Sequence, residues 1–150
     1  AKVYIREDIL PPEQIGCFYT MGSCFVLPTH GEGWGLPLFE ALACGIPAIT
    51  TGYGAPNEVL RDDKGEPLPG VHFVDWEEGE AKTPYVYMDG NRWAMPKLDD
   101  LQKKMRFVFE NYKEEKKKAM ATSELIRQKF SWDACAVPII ERLKAIYENN

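Results

Sequence analysis

The sequence predicts an α/β fold in which a parallel sheet is flanked by helices. Two short apolar runs that suit buried strands, at residues 24–27 and 46–51, are separated by a segment of helical character at residues 38–44. Buried strands joined through a helix form a βαβ unit, whose strands are parallel. Parallel sheets bind ligands at the carboxyl ends of their strands. We therefore expect a binding site where the first run ends.

A glycine-rich loop connects the first apolar run to the helix. Residues 28–37 interleave three glycines with Glu32 and Trp34, and end at Pro37. Proline suits a first helical turn, because the N–H group that it lacks would have no intrahelical partner there. Gly45 marks the end of the helix. A strand, a glycine loop and a helix N-terminus in succession present free backbone N–H groups to an anion.

Two carboxylates, Glu32 in the loop and Glu40 in the helix, are candidates for ligand binding. Helical side chains lean towards the N-terminus, so both can face one ligand that lies across the helix start. A carboxylate accepts hydrogen bonds from two adjacent hydroxyls, which suits sugar and ribose diols and leaves phosphate to the backbone. The alternative for Glu40 is a surface residue favoured by the helix dipole. Because isolated glycine loops recur in many folds, the residues alone leave both interpretations open.

The segment Glu-Gly-Trp-Gly-Leu-Pro-Leu-Phe-Glu-Ala, residues 32–41, resembles the signature of retaining glycosyltransferases of the GT-B fold, specifically family 4. The resemblance continues through residues 42–50 and 54–58 and resumes at residues 130–132. It implies a Rossmann-like parallel sheet that binds a nucleotide-diphosphate sugar. It further implies that the chain is a portion of the C-terminal, donor-binding domain of such an enzyme.

The resemblance also implies roles for individual residues. Glu32, as the catalytic residue, would lie near the transferred sugar, and Glu40 would hold the ribose. Ile5 and Arg6 match the backbone beside the nucleotide base, although a solvated charge at a strand end is the alternative for Arg6. The other donor-binding positions are those of the loop and the helix start: Gly33, Trp34, Gly35 and Leu36.

The same resemblance implies that part of the enzyme lies outside this chain. The family places an arginine and a lysine upstream, against the diphosphate, and no residue here matches that pair. The four predicted strands, which begin near Lys2, Cys24, Ile46 and Val71, are fewer than a complete domain contains. The chain also starts without Met or a signal peptide. We therefore expect residues 1–150 to lack the N-terminal strands and the acceptor domain, and to be inactive alone.

The implied function is transfer of a sugar, expected to be a hexosyl group, from a nucleotide-diphosphate donor to a hydroxyl acceptor with retention of anomeric configuration. The implied partners are the nucleotide sugar, a sugar, lipid or protein acceptor, and the N-terminal acceptor domain. No cofactor is expected. The alternatives are a catalytically incomplete nucleotide-sugar-binding module and a GT-B-like epimerase or phosphorylase, and the spacing of the two glutamates disfavours epimerases.

Metal chemistry is not expected. The sequence has no Asp-x-Asp motif, so we expect metal-independent transfer. Asp62 and Asp63 are adjacent acids, but Lys64 adjoins them and no third ligand accompanies them. The four cysteines show no C-x-x-C spacing and lie in apolar contexts, which predicts buried, reduced thiols. They are Cys17, Cys24, Cys44 and Cys135.

Charge and hydrophobicity exclude two classes of partner. The chain has 150 residues, a formal net charge of −5 and a pI of about 5.1, which argues against binding to a nucleic acid backbone. No apolar run approaches the roughly 18 residues that suggest a membrane span. Together with the lack of a signal peptide, this predicts a cytoplasmic protein without a transmembrane segment.

The regions flanking the glycine loop predict further elements. Residues 2–6 alternate as a strand does, residues 13–21 suit a short helix and residues 71–74 a strand. After the second apolar run, Tyr53 and Glu58 can approach the ligand, although Glu58 can also be a helix-start residue. Residues 77–82 are charged and are expected to be flexible. Residues 85–90 end on an Asp-Gly turn, and the region either shapes the acceptor side or is a surface hairpin.

Three helices are predicted at the C-terminal end, over residues 96–113, 114–130 and 132–147. Ser131 is expected to cap the last of them, and Pro138 to kink it. The apolar residues of the last helix are expected to pack on the core or, as the resemblance implies, against the partner domain. They are Trp132, Ile139, Leu143 and Ile146.

Overall fold

A computed structural model describes residues 2–81 and 90–148 of the chain. Helices and strands alternate up to residue 74, a pair of strands follows, and three helices complete the described chain. The elements are α1 Pro12–Thr20, β1 Phe25–Leu27, α2 Leu36–Ala43, β2 Ala48–Thr51, α3 Ala55–Val59, β3 Val71–Val74, β4 Trp76–Glu80, β5 Arg92–Pro96, α4 Leu98–Glu110, α5 Tyr112–Lys129 and α6 Trp132–Glu148.

The central sheet has three parallel strands in the order β1-β2-β3. Phe25 is aligned with Ala48, and Ala48 with Val71, so the three strands begin at the same level of the sheet. Their carboxyl ends therefore share one edge, from which the glycine loop leaves β1. The predicted α/β fold with a parallel sheet flanked by helices is confirmed.

Helices cover both faces of this sheet. Successive residues of a strand point to opposite faces, so neighbouring residues of β2 pack against different helices. Ala48 packs with Leu38 and Leu42 of α2 and with Ile126 of α5. Its neighbour Ile49 faces the other way and packs with apolar residues of β3 and α4. All four residues of β2 are buried, as expected for a strand that is covered on both faces.

The predicted helices are confirmed to within a few residues at each end. The cap of α6 is also confirmed, since Ala134 N–H donates a hydrogen bond of 3.1 Å to Ser131 Oγ. Pro138 lies inside α6, which continues from Trp132 to Glu148. The helix start at the glycine loop comes two residues earlier than predicted, at Leu36 instead of Leu38.

The strand predicted at residues 2–6 is wrong. Val3 and Ile5 are both 84% exposed, and residues 2–6 have no sheet partner within the described chain. A strand needs a neighbour for its backbone hydrogen bonds, and alternation of apolar residues cannot supply one.

Residues 76–80 and 92–96 form an antiparallel pair, and the sequence analysis did not predict the bounds of either strand. Glu78 is aligned with Ala94, and Gly79 with Trp93. The expectation of a flexible charged segment at residues 77–82 is therefore wrong for most of its length, because β4 has β5 as a partner. The paired strands agree with the hairpin alternative, but the turn expected at residues 85–90 lies, except for Gly90, outside the described residues.

Two expectations about burial are also corrected. The cysteines are free, as predicted, but Cys17 and Cys135 are exposed, and Cys24 and Cys44 are only half-buried. Burial raises the pKa of the Cys24 thiol to about 11, which keeps it protonated at neutral pH. Of the two alternatives for the apolar side chains of α6, packing on the core is wrong, because Trp132 is 92% exposed and Leu143 61%, while packing against a partner domain stays a prediction.

Candidate functional site

Two threonines of β2 hold the start of the glycine loop. Thr51 Oγ1 donates a hydrogen bond of 2.6 Å to the carbonyl of Thr29, and Thr50 Oγ1 donates one of 3.1 Å to the carbonyl of Leu27. Both threonines are buried. The loop therefore leaves the carboxyl edge of the sheet in a fixed direction.

The middle of the loop is held at Glu32 by the turn after β2. Ala55 N–H donates a hydrogen bond of 3.3 Å to the Glu32 carbonyl. Gly54, with φ +72° and ψ −162°, lies so close that a Cβ atom there would be 2.9 Å from the same oxygen. That backbone conformation is essentially restricted to glycine. The two glycine-containing turns, after β1 and β2, therefore fit closely against each other.

A row of unpaired backbone donors follows Glu32. Within residues 2–81 and 90–148, the N–H groups of residues 33–36 donate no hydrogen bond to the protein. Gly35 has φ +83° and caps α2 without a side-chain hydrogen bond, so the helix start is open. Unpaired donors at a helix N-terminus attract a negatively charged group.

The Glu32 side chain lies within this open region. It is half-buried, packs near Gly35, and has no hydrogen bond or ion pair in the described part of the chain. A carboxylate with free acceptor sites beside free N–H donors suits a ligand that carries both hydroxyls and an anionic group.

Glu40 lies in the second turn of α2 and is exposed. Tyr19 of α1 donates a hydrogen bond of 2.8 Å from its hydroxyl to Glu40 Oε2. Burial, together with the hydrogen bond to Glu40 and its negative charge, raises the pKa of Tyr19 well above its ordinary value. The phenol therefore remains a donor at neutral pH and holds one oxygen of the Glu40 carboxylate.

The side chain of Trp34 packs against two aromatic rings, one in α2 and one at the end of α5. Its ring stacks on Phe39 of α2, with centroids 4.8 Å apart, and meets the edge of Phe130 at 5.4 Å. Phe130 also contacts Phe39, so the end of α5 supports the loop. Two segments that carry the family resemblance, at residues 32–41 and 130–132, are therefore in contact through these rings.

Ile5 and Arg6 lie in the exposed segment before α1. The Arg6 guanidinium forms an ion pair of 2.7 Å with Asp8 and lies 5.6 Å from the centre of the Phe18 ring. Ile5 is almost fully exposed. Arg6 therefore contacts Asp8 and α1, not the glycine loop.

Tyr53 and Glu58 come from the turn after β2. A Cβ atom at Gly31 would lie 3.6 Å from the Tyr53 ring, so this ring borders the glycine loop. Glu58 is in the first turn of the short helix α3 and is exposed. The helix-start interpretation of Glu58 is therefore confirmed.

Sequence reasoning missed the contact between the loop and β5. The imidazole of His30 stacks on the indole of Trp93, with centroids 4.2 Å apart and planes 10° apart. A weak signal was present in the short apolar segment Trp-Ala-Met, residues 93–95, which is bounded by an Asp-Gly-Asn turn and by Pro96.

No group of three or more His, Cys, Asp or Glu side chains that could hold a metal ion is found among residues 2–81 and 90–148. Asp62 instead accepts hydrogen bonds of 2.9 Å from the backbone N–H groups of Lys64 and Glu66. Its carboxylate stabilises the local turn. None of the described helices is long and apolar enough to cross a membrane.

Comparisons with known proteins agree with this geometry. Residues 9–79 match the family model described as "Glycosyl transferases group 1". The matched segment runs from the residues before α1 to β4, and contains the glycine loop, α2 and the central sheet. This part of the chain is therefore similar to the glycosyl transferases of group 1.

Three relatives illustrate the similarity. A sucrose synthase of Beta vulgaris is 27% identical over 99 residues, covering 62% of this chain and 12% of the relative. The O-antigen chain mannosyltransferase B of Escherichia coli is 36% identical over 53 residues, covering 35% and 14%. A D-inositol 3-phosphate glycosyltransferase of Acidothermus cellulolyticus is 30% identical over 72 residues, covering 48% and 16%. The aligned segments are therefore a small part of each relative.

Proposed function

From the similarity of residues 9–79 to the glycosyl transferases of group 1, we propose that this chain is the donor-binding portion of a retaining glycosyltransferase of the GT-B fold, family 4. It moves a sugar, expected to be a hexosyl group, from a nucleotide-diphosphate donor to a hydroxyl acceptor. Relatives that are named sucrose synthase, mannosyltransferase and inositol phosphate glycosyltransferase support sugar transfer as the common chemistry.

One observation carries the proposal: the unpaired backbone donors at residues 33–36 lie in sequence between Glu32, whose carboxylate has no partner in the described chain, and Glu40, of which one carboxylate oxygen is bonded to Tyr19 and the other is free. A nucleotide-diphosphate sugar has matching parts in the same order, a sugar, a diphosphate and a ribose. The N–H groups and the positive end of α2 bind the diphosphate. Glu32 contacts the transferred sugar, and Glu40, oriented by Tyr19, binds the ribose hydroxyls. Ile5 and Arg6 are proposed to flank the base.

The domain assignment is part of the proposal. Residues 1–150 belong to the C-terminal donor domain, and further strands and an acceptor domain come from elsewhere in the enzyme. The open side of β1 supports this, because it is a sheet edge beside an apolar cleft of about 360 Å³. The cleft is lined by Ser23, Cys24, Val26, Met105, Val108, Phe109 and Tyr112. A further strand pairing with β1 would cover these side chains.

Calorimetry with UDP, GDP and ADP tests the donor assignment. We expect one of these nucleotides to bind the complete enzyme, with affinity lost when residues of the glycine loop are replaced, and the isolated chain to have no transferase activity. A complete enzyme that binds no nucleotide diphosphate, or whose donor affinity does not depend on the loop, would overturn the proposal.

Transfer is also proposed to be independent of divalent metal ions, because backbone N–H groups and basic residues upstream of this chain can neutralise the leaving diphosphate. We expect the complete enzyme to keep its turnover in EDTA. Complete loss of turnover that manganese or magnesium restores would contradict this.

A further inference from the structure

A cleft beside the glycine loop lies outside the region to which the donor diphosphate was assigned. It is about 510 Å³ in volume and is lined by His30, Gly79, Glu80, Trp93 and Met95. The volume falls within the roughly 300–1,000 Å³ of typical small-molecule sites. The cleft joins the loop, two residues before Glu32, to the antiparallel pair β4 and β5.

The loop side of the cleft is held rigidly by His30. Its Nδ1–H donates a hydrogen bond of 2.9 Å to the Ala94 carbonyl, since a carbonyl oxygen can only accept. Ala94 N–H in turn donates one of 3.2 Å to the His30 carbonyl. With the stacking on Trp93, these bonds fix both the backbone and the ring of His30. Nε2 has no partner among the described residues.

The hairpin side of the cleft supplies another available polar group. Glu80 is exposed and its carboxylate has no hydrogen bond or ion pair in the described chain, whereas Glu78 on the same strand pairs with Arg92 at 3.1 Å. The indole N–H of Trp93 is buried and, among residues 2–81 and 90–148, has no hydrogen-bond partner. Because this N–H group has no solvent exposure, the ring of Trp93 is the part of the side chain that a ligand in the cleft can contact.

The lining indicates the chemistry of the ligand. Among residues 2–81 and 90–148, no Lys or Arg side chain lines the cleft, and the Glu80 carboxylate repels phosphate. Trp93 and Met95 offer apolar surface, while Glu80 and His30 Nε2 offer hydrogen bonding at its margin. A neutral ring with an apolar C–H face and hydroxyls around its edge satisfies both features.

We propose that this cleft binds the pyranose ring of a carbohydrate, with Glu80 accepting hydrogen bonds from sugar hydroxyls and Trp93 and Met95 contacting the ring. The assignment of that ring to the donor or to the acceptor rests on the proposed glycosyltransferase function. In either case the hairpin of β4 and β5 is a determinant of sugar specificity, and His30 positions it against the glycine loop.

The test follows the indole N–H resonances in ¹H–¹⁵N spectra of the full chain, titrated with methyl α-D-mannopyranoside and methyl α-D-glucopyranoside. Trp93→Phe assigns the Trp93 resonance. We expect this resonance to shift with at least one glycoside, while that of the exposed Trp132 does not. Glu80→Gln should weaken the glycoside affinity about tenfold, as for loss of one charged hydrogen-bond partner, whereas Glu78→Gln should leave it unchanged. Absence of a shift with both glycosides, or equal losses in the two variants, would overturn the proposal.

A second measurement separates the two sources of the ring and the two proposals. In the complete enzyme, a higher KM for the donor sugar nucleotide in Glu80→Gln, with unchanged affinity for the free nucleotide, indicates the donor sugar, and a higher KM for the acceptor indicates the acceptor. Both results support the cleft as a sugar site. If the glycoside binds but no nucleotide diphosphate does, the sugar site stands and the transferase proposal fails. If nucleotide binds and neither glycoside nor either KM responds, only the sugar site fails.

Discussion

The hydroxyl of Tyr19 donates a hydrogen bond of 2.8 Å to Glu40 Oε2, and so links α1 to the second turn of α2. Tyr19 itself is held by edge contacts with the rings of Phe18 and Phe25. The bond fixes one carboxylate oxygen of an otherwise exposed side chain and leaves the other free. In the proposed function, Tyr19 therefore positions the ribose-binding carboxylate.

Tyr19→Phe removes this hydrogen bond and keeps the ring packing. We expect an about three- to tenfold loss of affinity for the nucleotide diphosphate in the complete enzyme, as for one hydrogen bond of about 0.5–1.5 kcal/mol. Calorimetry measures it, and Tyr147→Phe on the exposed surface of α6 is the control. Because the pKa of Tyr19 is raised, affinity in the unmodified enzyme should show no phenol titration at pH 10, the ordinary pKa of tyrosine, where an unperturbed phenol is half ionised. Unchanged affinity in Tyr19→Phe would exclude the positioning role.

The sequence predicted the elements whose burial is determined locally. The apolar and β-branched residues of β2 and the glycine and proline signals around α2 are properties of a few adjacent residues, and both elements were found. The strand expected at residues 2–6 failed because pairing depends on a distant partner, which alternation does not report.

The candidate site was predictable at its positions and less so at its contacts. The glycine loop and the helix start after β1 were predicted from the sequence and were found, whereas the binding roles of Glu32 and Glu40 stay predictions. The bond from Tyr19 to Glu40 and the stacking of His30 on Trp93 join residues 21 and 63 positions apart in sequence, and no local pattern encodes such pairs. The contact of Phe130 with Trp34 is of the same kind.

Gly54→Ala tests the close fit between the two glycine-containing turns. The new Cβ would lie 2.9 Å from the Glu32 carbonyl oxygen in a conformation that disfavours any side chain. We expect the free energy of unfolding, measured with urea, to fall by about 2–3 kcal/mol. Gly65→Ala is the matched control: Gly65 also has positive φ, but a Cβ atom there would have no neighbour within 4 Å, so its loss should be only about 1 kcal/mol. Equal losses would mean that the contact with Glu32 is not tight.

Glu115 forms a buried polar link between β3 and α5. The side chain is 2% exposed, and it accepts hydrogen bonds of 2.8 Å from His72 Nε2 and from Lys118 Nζ. Burial alone would raise the pKa of Glu115, but the bonds from Lys118 and His72 outweigh it and lower that pKa. Because the pKa is lower in the folded chain, ionised Glu115 stabilises the fold above its unfolded-state pKa, and this stability is lost as the pH falls through the folded pKa.

Glu115→Gln should reduce the free energy of unfolding at pH 7 by about 1–3 kcal/mol, since two charge-assisted hydrogen bonds are weakened. As the pH falls below about 5, the free energy of unfolding should also decrease less steeply in this variant than in the unmodified chain. Urea unfolding at several pH values measures both effects, and Glu114→Gln, at the exposed neighbouring position, is the control. An unchanged pH dependence in Glu115→Gln would show that Glu115 does not contribute to acid denaturation.

The last prediction separates the two carboxylates of the site. If Glu40 binds the ribose, Glu40→Gln in the complete enzyme should weaken both the donor and the free nucleotide diphosphate by about 1–3 kcal/mol, as for loss of a charged hydrogen-bond partner. If Glu32 contacts the transferred sugar, Glu32→Gln should leave binding of the free nucleotide unchanged and lower kcat, because charge and geometry change at the sugar in the transition state.

Calorimetry with the nucleotide diphosphate and initial rates with the sugar donor distinguish these outcomes. Glu58→Gln is the control, since Glu58 is an exposed carboxylate in the first turn of α3, near the same edge of the sheet. The free energy of unfolding of each variant shows whether a change in binding comes from a loss of fold. Folded Glu32 and Glu40 variants with equal losses of nucleotide affinity would refute the division of roles, because a residue that contacts only the sugar cannot affect a ligand without one.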